Sequence, residues 1–252
     1  LINCFGLKLG AITQNVLTIT KIAAVVGIIG ICFLLPGGSI TNLQPFWPTE
    51  PWTSLTGPFA LAMVLVLYTY DGWIEITYVG SELKRPERDM PWSIIISTVM
   101  VAALYLGVSI AFTYVLGHRG VAASPRVASD AATVVLGAIG ASIVTVAILI
   151  STLGSNNGIV FTAARIPYAM ARDGQFFRWA GQLSEKYAVP TTSLVVQGAW
   201  AALLALSGTY EQLATYVVFV SFLFYGMSAA AVIILRRREP SAPRPYRTWG
   251  YP

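Results

Sequence analysis

The sequence predicts an all-α integral membrane protein with about six transmembrane helices. Hydrophobic residues make up 56% of the chain and charged residues only 11%, and the mean hydropathy is +0.67. Soluble domains, by contrast, carry about 25% charged residues. Several apolar segments reach the roughly 20 residues that a helix needs to cross the hydrocarbon core, and they lack the two-residue alternation of barrel strands. The chain is therefore predicted to cross the membrane repeatedly as helices.

Proline, glycine and charged residues separate the apolar segments. The predicted spans are residues 11–35, 58–83, 92–116, 141–164, 191–206 and 213–235, and the connections between them are 39–57, 84–91, 117–130, 165–186 and 207–212. The uncharged run 131–164 would measure about 50 Å as one helix, which exceeds a ~30 Å core. We expect it to be divided into a short outer helix, 131–136, and a span, with Gly137 and Gly140 between them.

Basic residues are concentrated on alternate connections. One set holds only Arg119 and Arg126; the other holds Lys8, Lys84, Arg85, Arg88, Arg165, Arg172, Arg178, Lys186, Arg236, Arg237, Arg238, Arg244 and Arg247. Because short cytoplasmic loops are enriched in Lys and Arg, both chain ends are predicted to be cytoplasmic, in a plasma or bacterial inner membrane. The chain begins with Leu1 and ends in a basic, proline-rich stretch, so we interpret it as an internal part of a longer protein.

The second span, 58–83, carries charge near its middle. Asp71, Gly72 and Glu75 fall close to the expected bilayer centre, where a charged residue costs at least ~2.5 kcal/mol. Irregular backbone at membrane depth is tolerated where it lines a cavity or is buried in protein. This pattern predicts a discontinuous helix that lines a solute site, with Asp71 capping the half-helix that restarts. The alternative is a continuous helix whose two carboxylates, spaced i, i+4, face a polar seam.

Aromatic residues surround the predicted break. Tyr68, Tyr70 and Trp73 are placed to close over a solute, and an unwound segment leaves backbone carbonyls available to an ammonium group. These features predict a transporter. A channel-like pore in which the interrupted helix forms a filter, and a non-transporting membrane subunit, are the alternatives.

A lysine lies within the first predicted span. Gln14, Thr18 and Lys21 share one helical face, at i, i+4 and i+7. One interpretation is a buried ammonium that replaces a bound cation or carries a proton. The other is a lysine whose side chain extends to the cytoplasmic interface. The spacing alone does not separate them.

The fifth span contains a polar cluster around Gly154 and Gly158. Its members are Ser151, Thr152, Ser155, Asn156 and Asn157. Small and polar residues are common where membrane helices pack and form interhelical hydrogen bonds. The functional alternative is that Ser155 or Asn157 faces the same cavity as Asp71.

No motif indicates an enzyme. Cys4 and Cys32 do not have metal-ligand spacing and predict no disulfide. The sequence has no dinucleotide, P-loop, zinc-protease or nucleophile-elbow motif. We therefore expect no catalytic residue, cofactor or metal, and no nucleic-acid partner, since the basic residues lie mostly in short loops between spans.

Four sequence blocks together carry a family resemblance. They are YTYDGW, GSELKRPERDMPWSI, STLGSNNGIVFTAARIPYAMARDGQFF and PRPYRTWGYP. In this order they resemble the amino acid–polyamine–organocation permeases, and most closely their L-type amino acid transporter and bacterial exchanger branch. The resemblance covers essentially the whole chain. It implies a partial LeuT-like fold of inverted five-helix repeats. Residues 1–38 would form the last helix of the first repeat, and residues 39–57 an extracellular loop. Residues 58–235 would form the five helices of the second repeat, of which the first is discontinuous near 70–73, and residues 236–252 a cytoplasmic loop.

The resemblance also implies a substrate site. The break corresponds to the family's unwound sixth helix, whose carbonyls accept the amino group of an amino acid, and Tyr68 takes the position of the gating aromatic. The implied substrate-binding residues are Tyr68, Thr69, Tyr70, Asp71, Gly72, Trp73 and Asn157. Many L-type members have glycine where this chain has Asp71, which leaves a cationic or polar substrate open. The family's first helix, which binds the substrate carboxylate, is not in this chain.

The resemblance assigns ion coupling to Lys21 and Ser155. Lys21 aligns with the lysine that stands in for sodium in sodium-independent members, and Ser155 with the serine beside it. The implied activity is secondary transport of amino acids by alternating access, either as an exchanger or with proton coupling. The implied partners are an amino acid substrate and the lipid bilayer; a partner subunit is neither implied nor excluded.

Overall fold

The computed structural model describes residues 3, 7–48, 50–187 and 189–244. Over these ranges the chain forms α-helices joined by turns and 3₁₀ segments, with no strand. The helices are α1 Leu7–Leu34, α2 Trp52–Thr69, α3 Glu75–Tyr78, α4 Pro86–Ala123, α5 Val127–Leu136, α6 Ala138–Ala163, α7 Arg165–Arg172, α8 Thr191–Ser207 and α9 Tyr210–Arg238. The part of the predicted cytoplasmic loop beyond Arg244 lies outside the described residues.

Among the residues that the structure describes, five helical segments are long and apolar enough to cross a membrane. They are Leu9–Leu34, Trp52–Tyr78, Pro86–Ala123, Ala138–Arg172 and Thr215–Arg238. The remaining predicted span forms α8, an apolar helix of 17 residues, at the short end of the range for a bilayer crossing. Many large apolar side chains on these helices are exposed, as expected of surfaces that face lipid. The protein is a multi-pass, all-helical membrane protein.

Helix ends differ from the predicted loop boundaries. Helices begin at Trp52 and Pro86 and form over Arg165–Arg172, all within segments predicted as loops. Helix α4 also continues to Ala123, past a kink at Gly117 where φ is 70°. The physical reason is that hydropathy marks the hydrocarbon core, whereas helical hydrogen bonding continues into the headgroup region. Proline at the first helical position is tolerated because its missing N–H would be unpaired there anyway.

The long apolar run divides at Gly137. This glycine has φ 69° and separates α5 from α6, as the length of the run predicts. Gly140, which was expected to share the break, instead lies inside α6. A Cβ built there would fall 2.2 Å from the carbonyl oxygen of Ala132, so Gly140 permits the close packing of α5 on α6.

Helix α6 is the element that brings the candidate residues together. It contacts α1, α3, α5, α7 and α8. Gly154 and Gly158 face α1: a Cβ built at these glycines would lie 3.1 Å from Leu17 Cβ and 3.0 Å from Gln14 Nε2, respectively. Small residues spaced i, i+4 allow two membrane helices to approach closely. The glycines therefore place the polar residues of α6 against α1.

Candidate functional site

The predicted discontinuous helix ends its first α-helical part at Thr69. Tyr70 has φ −95° and ψ 3°, residues Asp71–Ile74 form a 3₁₀ turn, and α3 follows. The Tyr70 N–H donates to the Leu67 carbonyl at 3.1 Å, three residues back rather than four. The backbone thus changes from α-helical to 3₁₀ hydrogen bonding at the expected position. The backbone therefore remains helical through this region, whereas the sequence predicted an unwound, non-helical segment.

The Asp71 side chain contacts α9. Its Oδ1 accepts a hydrogen bond of 2.8 Å from the Tyr225 hydroxyl, and the ring centroids of Trp73 and Tyr225 are 6.2 Å apart. Neither the 3₁₀ turn nor α3 has a side-chain cap. The predicted capping role of Asp71 is therefore wrong, because its carboxylate is directed at a neighbouring helix instead of at backbone N–H groups.

The carbonyl at the end of α2 has a partner on α4. The Tyr105 hydroxyl donates to the Thr69 carbonyl oxygen at 3.2 Å, and the rings of Tyr70 and Tyr105 meet edge to face at 5.3 Å. Tyr105 and Tyr225 were not identified as site residues from the sequence. The sequence feature that could identify them is a tyrosine within an apolar span, because its hydroxyl needs a hydrogen-bond partner there.

Glu75 is hydrogen-bonded to α6. Its carboxylate accepts a hydrogen bond from the Thr162 hydroxyl, which also bonds to the Gly158 carbonyl within α6 at 3.0 Å. The Glu75 side chain is half-buried. The two carboxylates of the interrupted helix are thus bound by hydroxyl groups from two different helices.

Lys21 extends from α1 towards α6. Its Nζ donates to Ser155 Oγ at 3.4 Å, and it lies beside Gly154, where a built Cβ would be 3.7 Å from Nζ. About two turns earlier on α1, Gln14 Oε1 accepts a hydrogen bond of 3.0 Å from Asn157 Nδ2 of α6. Of the two interpretations of Lys21, this contact with a neighbouring helix favours the ammonium directed into the protein.

The remaining predicted residues are placed as follows. Tyr68 is 41% exposed, and a Cβ at Gly72 would meet nothing within 4 Å, so neither residue packs tightly against the described part of the chain. Ser155 and Asn157 contact α1 rather than Asp71. Within the described ranges, no three His, Cys, Asp or Glu side chains come together as a metal site requires.

These features define a class of protein. An apolar helix of membrane-spanning length is interrupted beside two carboxylates, and hydroxyl groups of two neighbouring helices bind these carboxylates. Discontinuous helices of this kind form the central binding sites of secondary transporters.

Comparison with known proteins identifies the family. The model of the amino acid permease family matches residues 1–252, and the chain belongs to this family, as the four sequence blocks indicated. The chain is 30% identical over 248 residues to the b(0,+)-type amino acid transporter 1 of Mus musculus, covering 98% of this chain and 50% of that protein. It is 31% identical over 248 residues, with the same coverage, to that of Rattus norvegicus.

A second group of relatives shows a similar match. The chain is 30% identical over 256 residues to the large neutral amino acids transporter small subunit 2 of Mus musculus, covering 98% of this chain and 46% of that protein. The chain therefore spans about half the length of the curated relatives it matches.

Proposed function

We propose that the protein containing this chain transports amino acids across a cell membrane by alternating access, as a secondary transporter that leaves its substrate chemically unchanged. The observation that carries the proposal is the interrupted helix at Tyr70, in a chain that the amino acid permease family matches over its whole length. The relatives are named as amino acid transporters, which supports the same substrate class here.

Residues 68–73 form the chain's half of the proposed substrate site. The Thr69 carbonyl at the end of α2 accepts a hydrogen bond of 3.2 Å from the Tyr105 hydroxyl, and a substrate ammonium group would compete for this carbonyl oxygen. Tyr68 is exposed within this chain and is suited to close over the bound molecule, with Tyr70, Gly72 and Trp73 beside it. The carboxylate of Asp71 adds a negative charge, which favours amino acids with a positively charged or polar side chain.

Lys21 and Ser155 form the proposed ion-coupling pair. The Lys21 ammonium bonds to a neutral hydroxyl of α6, so its charge lies between two helices in the manner of a bound cation. This arrangement supports a lysine that substitutes for a coupling ion, in an exchanger or a proton-coupled permease. Asn157 supports the site by joining α6 to α1 through Gln14.

The distribution of charge supports the proposed orientation. Basic residues lie at Lys84–Arg88 and at the end of α9, where Arg236, Arg237 and Arg238 form the last turn. We place both of these regions in the cytoplasm, in a plasma or bacterial inner membrane.

The test is a transport assay on the full-length protein. The purified protein is reconstituted in liposomes and a panel of radiolabelled amino acids is measured, with and without a pH gradient. Saturable uptake that is accelerated by an amino acid on the opposite side supports exchange, and uptake driven by the gradient supports proton coupling. Flux that does not saturate would indicate a pore, and no flux for any amino acid would refute the proposal.

A further inference from the structure

Two carboxylates join the segment after the interruption to the end of α6. Glu75 accepts a hydrogen bond from Thr162. Glu82, the last residue of the 3₁₀ turn Gly80–Glu82, forms an ion pair with Arg165. Thr162 and Arg165 lie one helical turn apart, across the junction of α6 and α7. The segment 75–82 therefore contacts one short stretch of chain at two points.

Three of the five N–H groups of the Arg165 guanidinium have hydrogen-bond acceptors. Its Nε donates to Glu82 Oε1 at 2.5 Å and its Nη2 to Glu82 Oε2 at 3.1 Å, while its Nη1 donates to the Phe161 carbonyl. The group also lies over the Phe161 ring, 4.1 Å from its centroid. The Arg165 side chain is only 11% exposed and that of Glu82 35%. Two parallel bonds between a guanidinium and a carboxylate are among the strongest polar contacts in proteins.

The part of the helix before the interruption has other partners. The Thr69 carbonyl at its end is bonded to Tyr105 on α4. Asp71, in the 3₁₀ turn that follows Tyr70, is bonded to Tyr225 on α9. The two halves of the interrupted helix therefore differ in their polar partners, with the change of backbone geometry at Tyr70 between them, although the segment after the interruption also contacts α4.

We propose that Glu82 and Arg165 are positioning residues: their ion pair holds the segment 75–82 against α6 and so sets which side of the membrane the substrate site opens to. The proposal rests on the transport function proposed above. With the pair formed, the seam between the segment and α6 is closed. When the pair separates, the segment moves away from α6, while the first half of the helix keeps its contacts.

Hydrogen exchange tests the closure without measuring transport. Amide exchange of the full-length protein is followed by mass spectrometry in Glu82→Gln. The matched control is Arg85→Ala, which removes a nearby, exposed contact to Asp89 at 3.9 Å. We expect exchange over residues 75–83 to increase about tenfold in Glu82→Gln, because a charged hydrogen bond is lost. Amide exchange over residues 53–69 should be unchanged in Glu82→Gln, and exchange over residues 75–83 should be unchanged in the Arg85→Ala control. Unchanged exchange over 75–83, or an equal increase in the control, would overturn the proposal.

A transport readout separates positioning from a purely structural role. The KM for an amino acid is measured from each face of the membrane, and Glu82→Gln is expected to change the ratio of the two values about tenfold. Adding Arg165→Gln should produce no further change, since both substitutions remove the same pair. Arg165→Lys, which keeps the charge but loses the paired bonds, should be intermediate and replaces Glu82→Gln if that variant does not fold.

The outcomes distinguish the two proposals. A faster-exchanging segment with an unchanged KM ratio would show that the pair only stabilises the fold, and would overturn the positioning role. A wild-type protein that transports no amino acid would refute the transport function. The hydrogen-exchange measurement would still report whether the Glu82–Arg165 ion pair holds the segment 75–82 against α6.

Discussion

Replacement of Lys21 by methionine should remove transport without weakening the fold. Methionine has a similar length but no charge. A charged side chain at bilayer depth costs at least ~2.5 kcal/mol. The bond that offsets this cost is a single long contact of 3.4 Å from the ammonium to a neutral hydroxyl, worth about 1.5 kcal/mol, the low end for a hydrogen bond to a charged group. The balance favours the variant by roughly 1 kcal/mol or more, so its thermal stability should equal or exceed that of the wild type.

Two measurements on the full-length protein check this expectation. Amino acid exchange in liposomes should fall to background in Lys21→Met, whereas the melting temperature of the purified protein should stay the same or rise. Ser155→Ala, which removes only the hydroxyl partner, should reduce exchange about fivefold, the equivalent of about 1 kcal/mol.

The matched control is Thr20→Ala. Thr20 is adjacent and exposed, and its hydroxyl bonds to the Val16 carbonyl of its own helix at 2.8 Å, so exchange should be retained. Undiminished exchange in Lys21→Met would refute the coupling role of Lys21. A loss of exchange that is matched by a loss of melting temperature would refute the claim that the charge serves function rather than stability.

Two further substitutions test the contacts around the site. Tyr225→Phe leaves the Asp71 carboxylate without its 2.8 Å partner and should destabilise the protein by about 1–3 kcal/mol, measured as a lower melting temperature. Tyr216→Phe, on an exposed position of the same helix, should have no effect, and equal losses would contradict the assigned contact. Gly154→Ala adds a Cβ only 3.1 Å from a side chain of α1 and should lower the melting temperature by separating the helices. Gly27→Ala, with nothing within 4 Å, should be neutral or stabilising by up to ~1 kcal/mol; the same loss at both glycines would argue against close packing at Gly154.

The position of the interruption was predictable, but its geometry was not. Charge beside Gly72, within an otherwise apolar span, indicates that a continuous lipid-facing helix is unfavourable, and the α-helix does end at Thr69. The choice of a 3₁₀ turn over an extended segment depends on the helices that pack around it, which no local pattern reports. An ammonium of Lys21 directed into the protein was one of two interpretations, and the contact with Ser155, beside Gly154, favours it.

The long-range partners could not be obtained from the sequence either. Tyr225 is far along the chain from Asp71, and Arg165 from Glu82, so each pairing depends on the three-dimensional arrangement of the helices. Helix ends were missed for a different reason. Hydropathy locates the apolar core of a span, whereas Pro86 and Arg165 begin helices among charged residues.

The 3₁₀ turn explains why Asp71 and Glu75 have different neighbours. Successive residues turn by about 120° in a 3₁₀ helix and by about 100° in an α-helix. Across the turn Asp71–Ile74 the extra rotation amounts to roughly 80°. In an uninterrupted α-helix the two carboxylates would point in nearly the same direction and repel each other. The overwound turn directs one to a tyrosine of α9 and the other to a threonine of α6, so one short stretch of backbone keeps two negative charges apart inside the membrane.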